Sequence, residues 1–319
     1  MSGIVTVTLA AAIDLTYHVD RVAHGRVNRA SSWSRELSGK GVNVSHAVAA
    51  SARTTRAVVA LSDDAAGFAE ADWLAPVRVR GATRVNITFS EGDGVTTKVN
   101  APSPALTADE ADAVVRRTRD EVRAIGADWV VIAGTVPPSA DGELSLGELI
   151  RTSRAEGARV AVDTSGPALD RVLADDIARV ALLKPNTHEL AEVAGRPLRT
   201  IGEVVDAARG LVWRGCETVY VSMGEDGALA VTADGTWWAR ATAPAVVNAT
   251  GAGDASLAGF LVHAGPGSPN VPEALRGAAS YGALSVSQRR TLLQRPDTAP
   301  DAELVVDPDA ARPLRDPAV

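Results

Sequence analysis

The stretch Asn248-Ala249-Thr250-Gly251-Ala252-Gly253-Asp254-Ala255-Ser256-Leu257-Ala258-Gly259-Phe260 sets two glycines around an alanine and an acid directly after them. An apolar run at helical spacing follows through Leu257, Phe260 and Leu261. That order predicts a tight loop opening a helix. The first N–H groups of a helix lack intrahelical partners and carry the positive end of its dipole, so they form an anion site. Gly251 and Gly253 let the backbone approach an anion without Cβ obstruction. Asp254 in that mouth repels a phosphate, which makes sense if its task is to hold a hydroxyl beside the phosphate and accept its proton. A plain helix start, with the acid complementing the dipole, accounts for the same residues without any ligand. Of two other phosphate cradles, one fits worse and one is absent. A dinucleotide fingerprint needs glycine where Ser256 stands, and a Walker loop at Gly39-Lys40 lacks its earlier glycine and has Gly41 in place of Ser or Thr.

Working outward, 319 residues with 46% hydrophobic content suffice for one large core, with room for a small appendage. The net charge of −7, without a long basic run, argues against nucleic acid or an anionic membrane as partner. A single cysteine, Cys216, excludes an intramolecular disulfide framework and a Cys-rich zinc site, which points to a reducing cytoplasm. Residues 4 to 13 are apolar, but they lack a basic start and run into Asp14, so they read as a buried strand rather than a signal peptide. No apolar run approaches the roughly 20 residues needed to cross a bilayer.

Ile4 to Leu9 predicts a central strand with Asp14 just beyond its end. Residues 17 to 37 and 78 to 98 share a texture of short strands, the second around a hairpin turn at Glu91-Gly92-Asp93-Gly94. Two such stretches in an otherwise α/β chain suggest a small sheet built from both, a lid. Between them, Ser38-Gly39-Lys40-Gly41-Val42-Asn43 feeds an Ala-rich helix. Lys40 or Asn43 there can contact a ligand, or the lysine can simply be solvated at a helix start. His46 reads as a packed helix residue, with no second histidine at metal-ligand spacing.

From Thr107 the pattern becomes regular. Thr107 with Glu110, and Thr200 with Glu203, are capping boxes opening amphipathic helices. Strands are expected at 129–133, 159–163, 180–183 and 218–222. Strands alternating with helices predict a parallel sheet covered on both faces, with ligands at the strands' carboxyl ends. At one such end, Lys184-Pro185-Asn186-Thr187-His188-Glu189 sets an amide and a carboxylate three apart, able to hold a hydrated Mg²⁺. Ser222-Met223-Gly224-Glu225-Asp226-Gly227 is a glycine-spaced turn that as a hairpin needs no ligand. From 295 to 319 the chain is rich in Pro, Asp and Ala, and is expected to be a peripheral tail apart from Ala302 to Val306.

These pieces resemble one family, the ribokinase-like sugar kinases, also called the phosphofructokinase B family, over roughly residues 4 to 290. Thr250-Gly251-Ala252-Gly253-Asp254 is similar to its C-terminal signature and Gly39-Lys40-Gly41-Val42-Asn43 to its N-terminal one, with Asn186/Glu189 and Ser222/Gly224/Gly227 between them in order. Thr83-Arg84-Val85-Asn86 and Lys98-Val99-Asn100-Ala101-Pro102-Ser103-Pro104 resemble the branch acting on already phosphorylated ketohexoses, 1-phosphofructokinase and tagatose-6-phosphate kinase. The resemblance implies a three-layer α/β/α sandwich with a mostly parallel sheet over residues 1–294, and a β lid from about 15–37 and 78–103. It implies catalysis by Asp254 with the backbone of Gly251, Ala252 and Gly253. The sugar side would be formed by Asp14, Gly39, Lys40, Asn43, Arg84, Asn86 and Asn100. ATP would meet Lys184, Asn186, Ser222, Gly224, Gly227, Thr250 and Gly253, and Mg²⁺ would meet Asn186 and Glu189 through water. Lys40 and Arg84 would lie near the substrate's existing phosphate, and a guanidinium fork suits that group.

The expected reaction is ATP-dependent phosphorylation of fructose 1-phosphate, with tagatose 6-phosphate or fructose 6-phosphate as alternatives, in a homodimer joined through the lids. The branch usually has Asn-Pro where this chain has Ala10-Ala11, and often lysine where it has Thr88. A kinase of a free sugar or nucleoside would leave two cations without a partner. A catalytically silent sugar-phosphate sensor is disfavoured because Asp254, both glycines and Glu189 are all present.

Overall fold

The computed structural model describes residues 3–68, 70–92, 95–142, 144–265, 267 and 269–318. In chain order the elements are β1 (Gly3–Thr8), β2 (Ala12–Val19), β3 (Ser32–Ser38), α1 (Lys40–Ala50), β4 (Thr55–Leu61), β5 (Leu74–Arg78), β6 (Arg84–Glu91) and β7 (Thr96–Val99). Next come α2 (Ala108–Ile125), β8 (Ala127–Ala133), α3 (Gly147–Ala155), β9 (Arg159–Asp163), α4 (Gly166–Arg171), β10 (Leu182–Leu183), α5 (Thr187–Ala194), β11 (Leu198–Thr200) and α6 (Ile201–Trp213). The chain ends with β12 (Thr218–Ser222), β13 (Ala228–Val231), β14 (Thr236–Ala241), α7 (Ala252–His263), α8 (Val271–Val286), β15 (Ala302–Val306) and β16 (Pro313–Ala318). No helix of the described residues is long and apolar enough to cross a membrane.

The main sheet has ten strands in the order β15-β14-β13-β12-β10-β9-β8-β1-β4-β5. From β12 to β5 every pairing is parallel, and β13, β14 and β15 add an antiparallel margin. The strands are runs of Val, Ile and Ala because both faces are covered. On β1, Val5 and Val7 join a core with Val114 of α2, Ile150 of α3 and Val204 of α6. Ile4 faces the opposite core with Val44 of α1, Phe260 of α7 and Leu275 of α8. That alternation makes the three layers. Helix α7 is apolar on nearly every side because it lies between α1 and α8. Leu257, Phe260 and Leu261 are fully buried, each worth about 1.5–3 kcal/mol of burial.

Strand order reverses between β1 and β8, since β1 is followed by β4 and β5 on one side and the chain then returns to β8, β9 and β10 on the other. A crevice opens at the carboxyl ends of such strands, where ligands bind in open α/β sheets. Both sequence-predicted capping boxes are formed. Thr107 and Glu110 exchange bonds of 2.9 and 3.3 Å, and Thr200 and Glu203 bonds of 3.1 and 3.3 Å.

A second sheet, β3-β2-β6-β7, is the lid. Its strands alternate cleanly. Asp14, Thr16 and His18 pair with Asn86, Thr88 and Ser90, while Ile13, Leu15 and Tyr17 pair with Val85, Ile87 and Phe89. One lid face is therefore polar and the other apolar. Asp14 lies inside β2, as part of the lid, rather than just past the first strand, because the chain turns at 9–11 and re-enters extended backbone at once. The expected turn at Glu91 to Gly94 falls partly outside the described residues, at 93 and 94. Beyond residue 295, β15 joins the main sheet's edge and β16 pairs with β11, so the terminal segment is tied down at two places.

Candidate active site

The glycines of the N-terminal motif are there for packing. Gly39 has φ 149°, and a Cβ on it would stand 2.6 Å from the Thr8 methyl; one on Gly41 would stand 3.0 Å from the Val7 carbonyl oxygen. Only glycine lets the start of α1 lie this close to the end of β1. The first turn of α1 is thereby seated in the crevice, and two of its side chains act there. Asn43 Nδ2 donates to Asp254 Oδ2 at 2.7 Å, and Lys40 Nζ reaches Asp163 Oδ1 at 2.7 Å.

Asp254 sits in the first turn of α7, behind Gly251, which holds φ 80° as the N-cap. A Cβ on Gly251 would stand 2.8 Å from Thr291 O, so the loop tolerates no other residue there. Ala252 N–H is engaged with Ala249 O at 3.3 Å, whereas the N–H groups of Gly251 and Gly253 make no hydrogen bond among the described residues. The carboxylate of Asp254 is buried, and burial together with the negative Asp163 pushes its pKa up to about 6. The Asn43 hydrogen bond, Lys40 and Lys184 pull the other way. A carboxylate poised there is charged at neutral pH and basic enough to take a proton.

Asp163 ends β9 and is wholly buried between two lysines. Lys184 Nζ, just past the end of β10, lies 3.0 Å from Oδ2 in an ion pair. Burial raises the Asp163 carboxyl, but Lys184 and Lys40 outweigh it and hold the group below its usual range. Lys184 is raised in turn, since Asp163 overcomes its burial. Breaking such a buried pair costs about 3–5 kcal/mol. Lys40, expected beside the substrate's existing phosphate, is thus tied to Asp163. Asp163 itself was missed, though an acid closing a buried strand was the available signal.

Beside α7 lies a cavity of about 540 Å³ that gathers Ser222, Gly224, Gly227 and Gly253 of the sequence-predicted nucleotide set. Its floor is Tyr220, stacked on Phe260 at 5.5 Å and bonded through its hydroxyl to Ser256. Gly227, at φ 90°, is pressed against β14, where a side chain would collide with the Ala239 carbonyl. Its far wall is a run of small residues on α8, Ala279, Gly282 and Ala283, which sequence reasoning passed over. Their spacing on one helical face was the visible signal, and it leaves room for a flat ring.

Asn186 and Glu189 form a capping box on α5. Asn186 Oδ1 accepts from Glu189 N–H at 2.8 Å and Glu189 Oε2 from Asn186 N–H at 2.9 Å. One Glu189 oxygen is left over, close enough to Lys184 to act on its charge. Among the described residues no group of three acidic, His or Cys side chains can hold a metal.

The polar lid face closes the crevice, since Lys98 of β7 donates to Thr250 Oγ1 in the loop before α7. Asn86 Nδ2 donates to Asp14 Oδ1 at 2.9 Å, and Arg84 donates to the Ala10 carbonyl at 3.1 Å. Ala10 therefore serves through its backbone. Arg84 Nε, Asn86 Oδ1 and Asn43 Oδ1 are buried without partners among the described residues. Buried polar atoms are normally satisfied, so this cluster is built for hydrogen-bonding ligand groups. Asn100 follows β7 exposed and makes no side-chain hydrogen bond among the described residues.

The pattern of the pfkB family carbohydrate kinases matches residues 1–298. The chain belongs to the pfkB family. A 1-phosphofructokinase of Rhodobacter capsulatus is 36% identical over 294 residues, covering 88% of this chain and 90% of the relative. That of Bacillus subtilis is 31% identical over 300 residues, with 89% and 93% covered. Phosphofructokinase-2 of Escherichia coli, solved in complex with potassium, superposes with a TM-score of 0.80 at 27% identity, covering 93% and 96%. The same protein in complex with fructose-6-phosphate gives 0.77 at 27% identity, covering 93% and 97%. The pfkB fold is thus the ribokinase-like α/β architecture expected from the two glycine motifs.

Proposed function

We propose that this pfkB kinase transfers the γ-phosphoryl group of ATP to O6 of fructose 1-phosphate. The observation that carries the reading is the polar crevice itself: a buried Asp254 at a helix N-terminus, bonded to Asn43, with Arg84 Nε, Asn86 Oδ1 and Asn43 Oδ1 left without partners among the described residues. A sugar phosphate supplies what those atoms lack. Its hydroxyls donate to the amide oxygens and to Asp14, and its phosphate accepts from Arg84 and Lys98. Burial lowers the affinity of Arg84 for its proton, against the pull of Asp14, so an anionic ligand that neutralises it is favoured. The 30–36% identical relatives named 1-phosphofructokinase support the choice of fructose 1-phosphate.

In the mechanism, ATP occupies the apolar cavity with its phosphates toward Gly253 and Lys184. Asp254 orients the attacking hydroxyl and accepts its proton, while the N–H groups of Gly251 and Gly253 stabilise charge on the transferring group. Lys184 N–H groups donate to phosphate oxygens. Asn186 and Glu189, the latter through the oxygen that the cap leaves over, would hold Mg²⁺ largely by way of water. When bound it neutralises phosphate charge. Asn43 fixes the carboxylate and keeps it ionised.

Fructose 6-phosphate is the second reading, favoured by the TM-score of 0.77 to phosphofructokinase-2 in complex with that sugar. An ADP-release assay across phosphorylated and free sugars tests both. Turnover on fructose 1-phosphate above all others supports the proposal, and preference for a free sugar refutes it.

The protein further acts as a homodimer through the apolar lid face. Trp33 is 62% exposed there and flanks a groove lined with Ile13, Leu15, Tyr17, Arg35 and Val85. A few-stranded sheet with one bare apolar face is hidden best by a copy of itself. One solved form of the related phosphofructokinase-2 is tetrameric.

A further inference from the structure

We propose that Asp163 is a positioning residue for phosphoryl transfer, whose carboxylate brackets Lys40 and Lys184 and so fixes one ammonium group from each side of the crevice beside Asp254. The two lysines come from opposite halves of the site. Lys40 is the first residue of α1, in the motif that packs on β1, and Lys184 directly follows β10 on the nucleotide side. Lys184 Nζ lies 3.7 Å from where a Cβ on Gly253 would stand, which puts it at the N-terminus of α7. Lys40 lies along Gly134 at the end of β8, across the switch in strand order. The buried end of β9 lies between these two positions.

An ammonium on a four-carbon stem is mobile, and two of them beside the positive end of a helix repel each other. A carboxylate at their common focus removes both problems. It cancels one of the two charges and leaves the bracket with a net positive charge, suited to the charge spread over the oxygens of a transferring phosphoryl group. An ammonium has three donors. Lys40 spends one on Oδ1 and Lys184 at most one on Oδ2, so each keeps donors for a phosphate. Asp163 is wholly buried and in contact with both lysines. It acts through them.

The proposal rests on the kinase reading above, and its test separates the two. Turnover of fructose 1-phosphate is compared in the intact chain, Asp163→Asn, Lys40→Met and the double variant. Asp163→Asn should lower kcat by about 10²-fold while both KM values stay within about threefold, because both lysines stay charged and only their aim at the transferring group is lost. If Asp163 acts through Lys40 and Lys184, adding Lys40→Met to the Asp163→Asn enzyme should cost less than about threefold further. The groups facing Asp254 are Asp163 from β9, Lys40 and Asn43 from α1 and Lys184 from β10. Removing the negative one should move the acid limb of kcat/KM to lower pH, a shift that a merely structural residue does not produce. Should Asp163→Asn fail to fold, Asp163→Asn/Lys184→Gln removes the buried pair together and is compared with Lys184→Gln alone. Equal rates in that pair support the bracket. Near-normal kcat in Asp163→Asn, or losses that multiply in the double variant, overturn it while leaving the kinase reading standing. An intact chain inactive on every sugar phosphate overturns both.

Discussion

Replacing Asn43 by Ala removes one hydrogen bond, of 2.7 Å, from a buried carboxylate whose pKa stands at about 6. The bond is made to the charged form, so it lowers the pKa, and its loss must raise it. A hydrogen bond to a charged group is worth about 1.5–3 kcal/mol, and about 1.4 kcal/mol corresponds to one pKa unit. Water entering the space left by the amide recovers part of that, so the net rise is expected to be about one unit. A general base works deprotonated. Activity in the parent is therefore present above about pH 6 and lost as pH falls through it, and in Asn43→Ala the loss begins about one unit higher. The assay is kcat/KM for the sugar phosphate from pH 5 to 9, with phosphate titration controlled by a substrate-saturated series. A variant whose acid limb is unmoved would show that Asn43 does not act on the ionisation of Asp254, and the assignment of that limb to Asp254 would fall with it.

Three further outcomes are expected. Arg84→Ala should raise the KM for the sugar phosphate by about 10- to 100-fold, the scale of one charge-assisted contact, with the KM for ATP almost unchanged; an unaltered sugar KM would remove Arg84 from the site. Glu189→Gln should raise the Mg²⁺ concentration needed for half-maximal rate, since the amide is a weaker ligand for a hard cation, and an unchanged titration would leave Glu189 as a helix cap alone. Trp33→Ser should shift the solution mass toward the monomer in light scattering at micromolar concentration, whereas a monomeric parent protein would contradict the lid interface.

What was legible in the sequence was local. Gly251-Ala252-Gly253-Asp254 reads as a loop opening a helix because the glycines and the acid are adjacent, and the structure has that form. Thr107/Glu110 and Thr200/Glu203 read as capping boxes because each pair closes on itself within one turn. Asn186/Glu189 carries the same spacing and closes in the same way, yet its position at a strand end drew attention to metal and away from the cap. The contacts that assemble the site are long in sequence. Asn43 meets Asp254 across 211 residues and Lys40 meets Asp163 across 123, and no periodicity records such a pairing. Two cationic residues in the two halves of the chain each needed an anion, and the buried strand ending in Asp163 was where it lay. The small-residue wall of the α8 cavity was overlooked for a related reason, since Ala279, Gly282 and Ala283 are notable only for being small and carry no chemistry of their own.

The central claim is that Asp254 takes the proton of a sugar-phosphate hydroxyl during transfer from ATP. Its most direct test is turnover of fructose 1-phosphate with ATP by Asp254→Asn, beside ATP affinity measured by calorimetry on the same preparation. The side chain keeps its size and loses its proton acceptor, so kcat is expected to fall by about 10²-fold or more while ATP binds as before. Turnover near that of the parent, with ATP binding intact, would contradict the account.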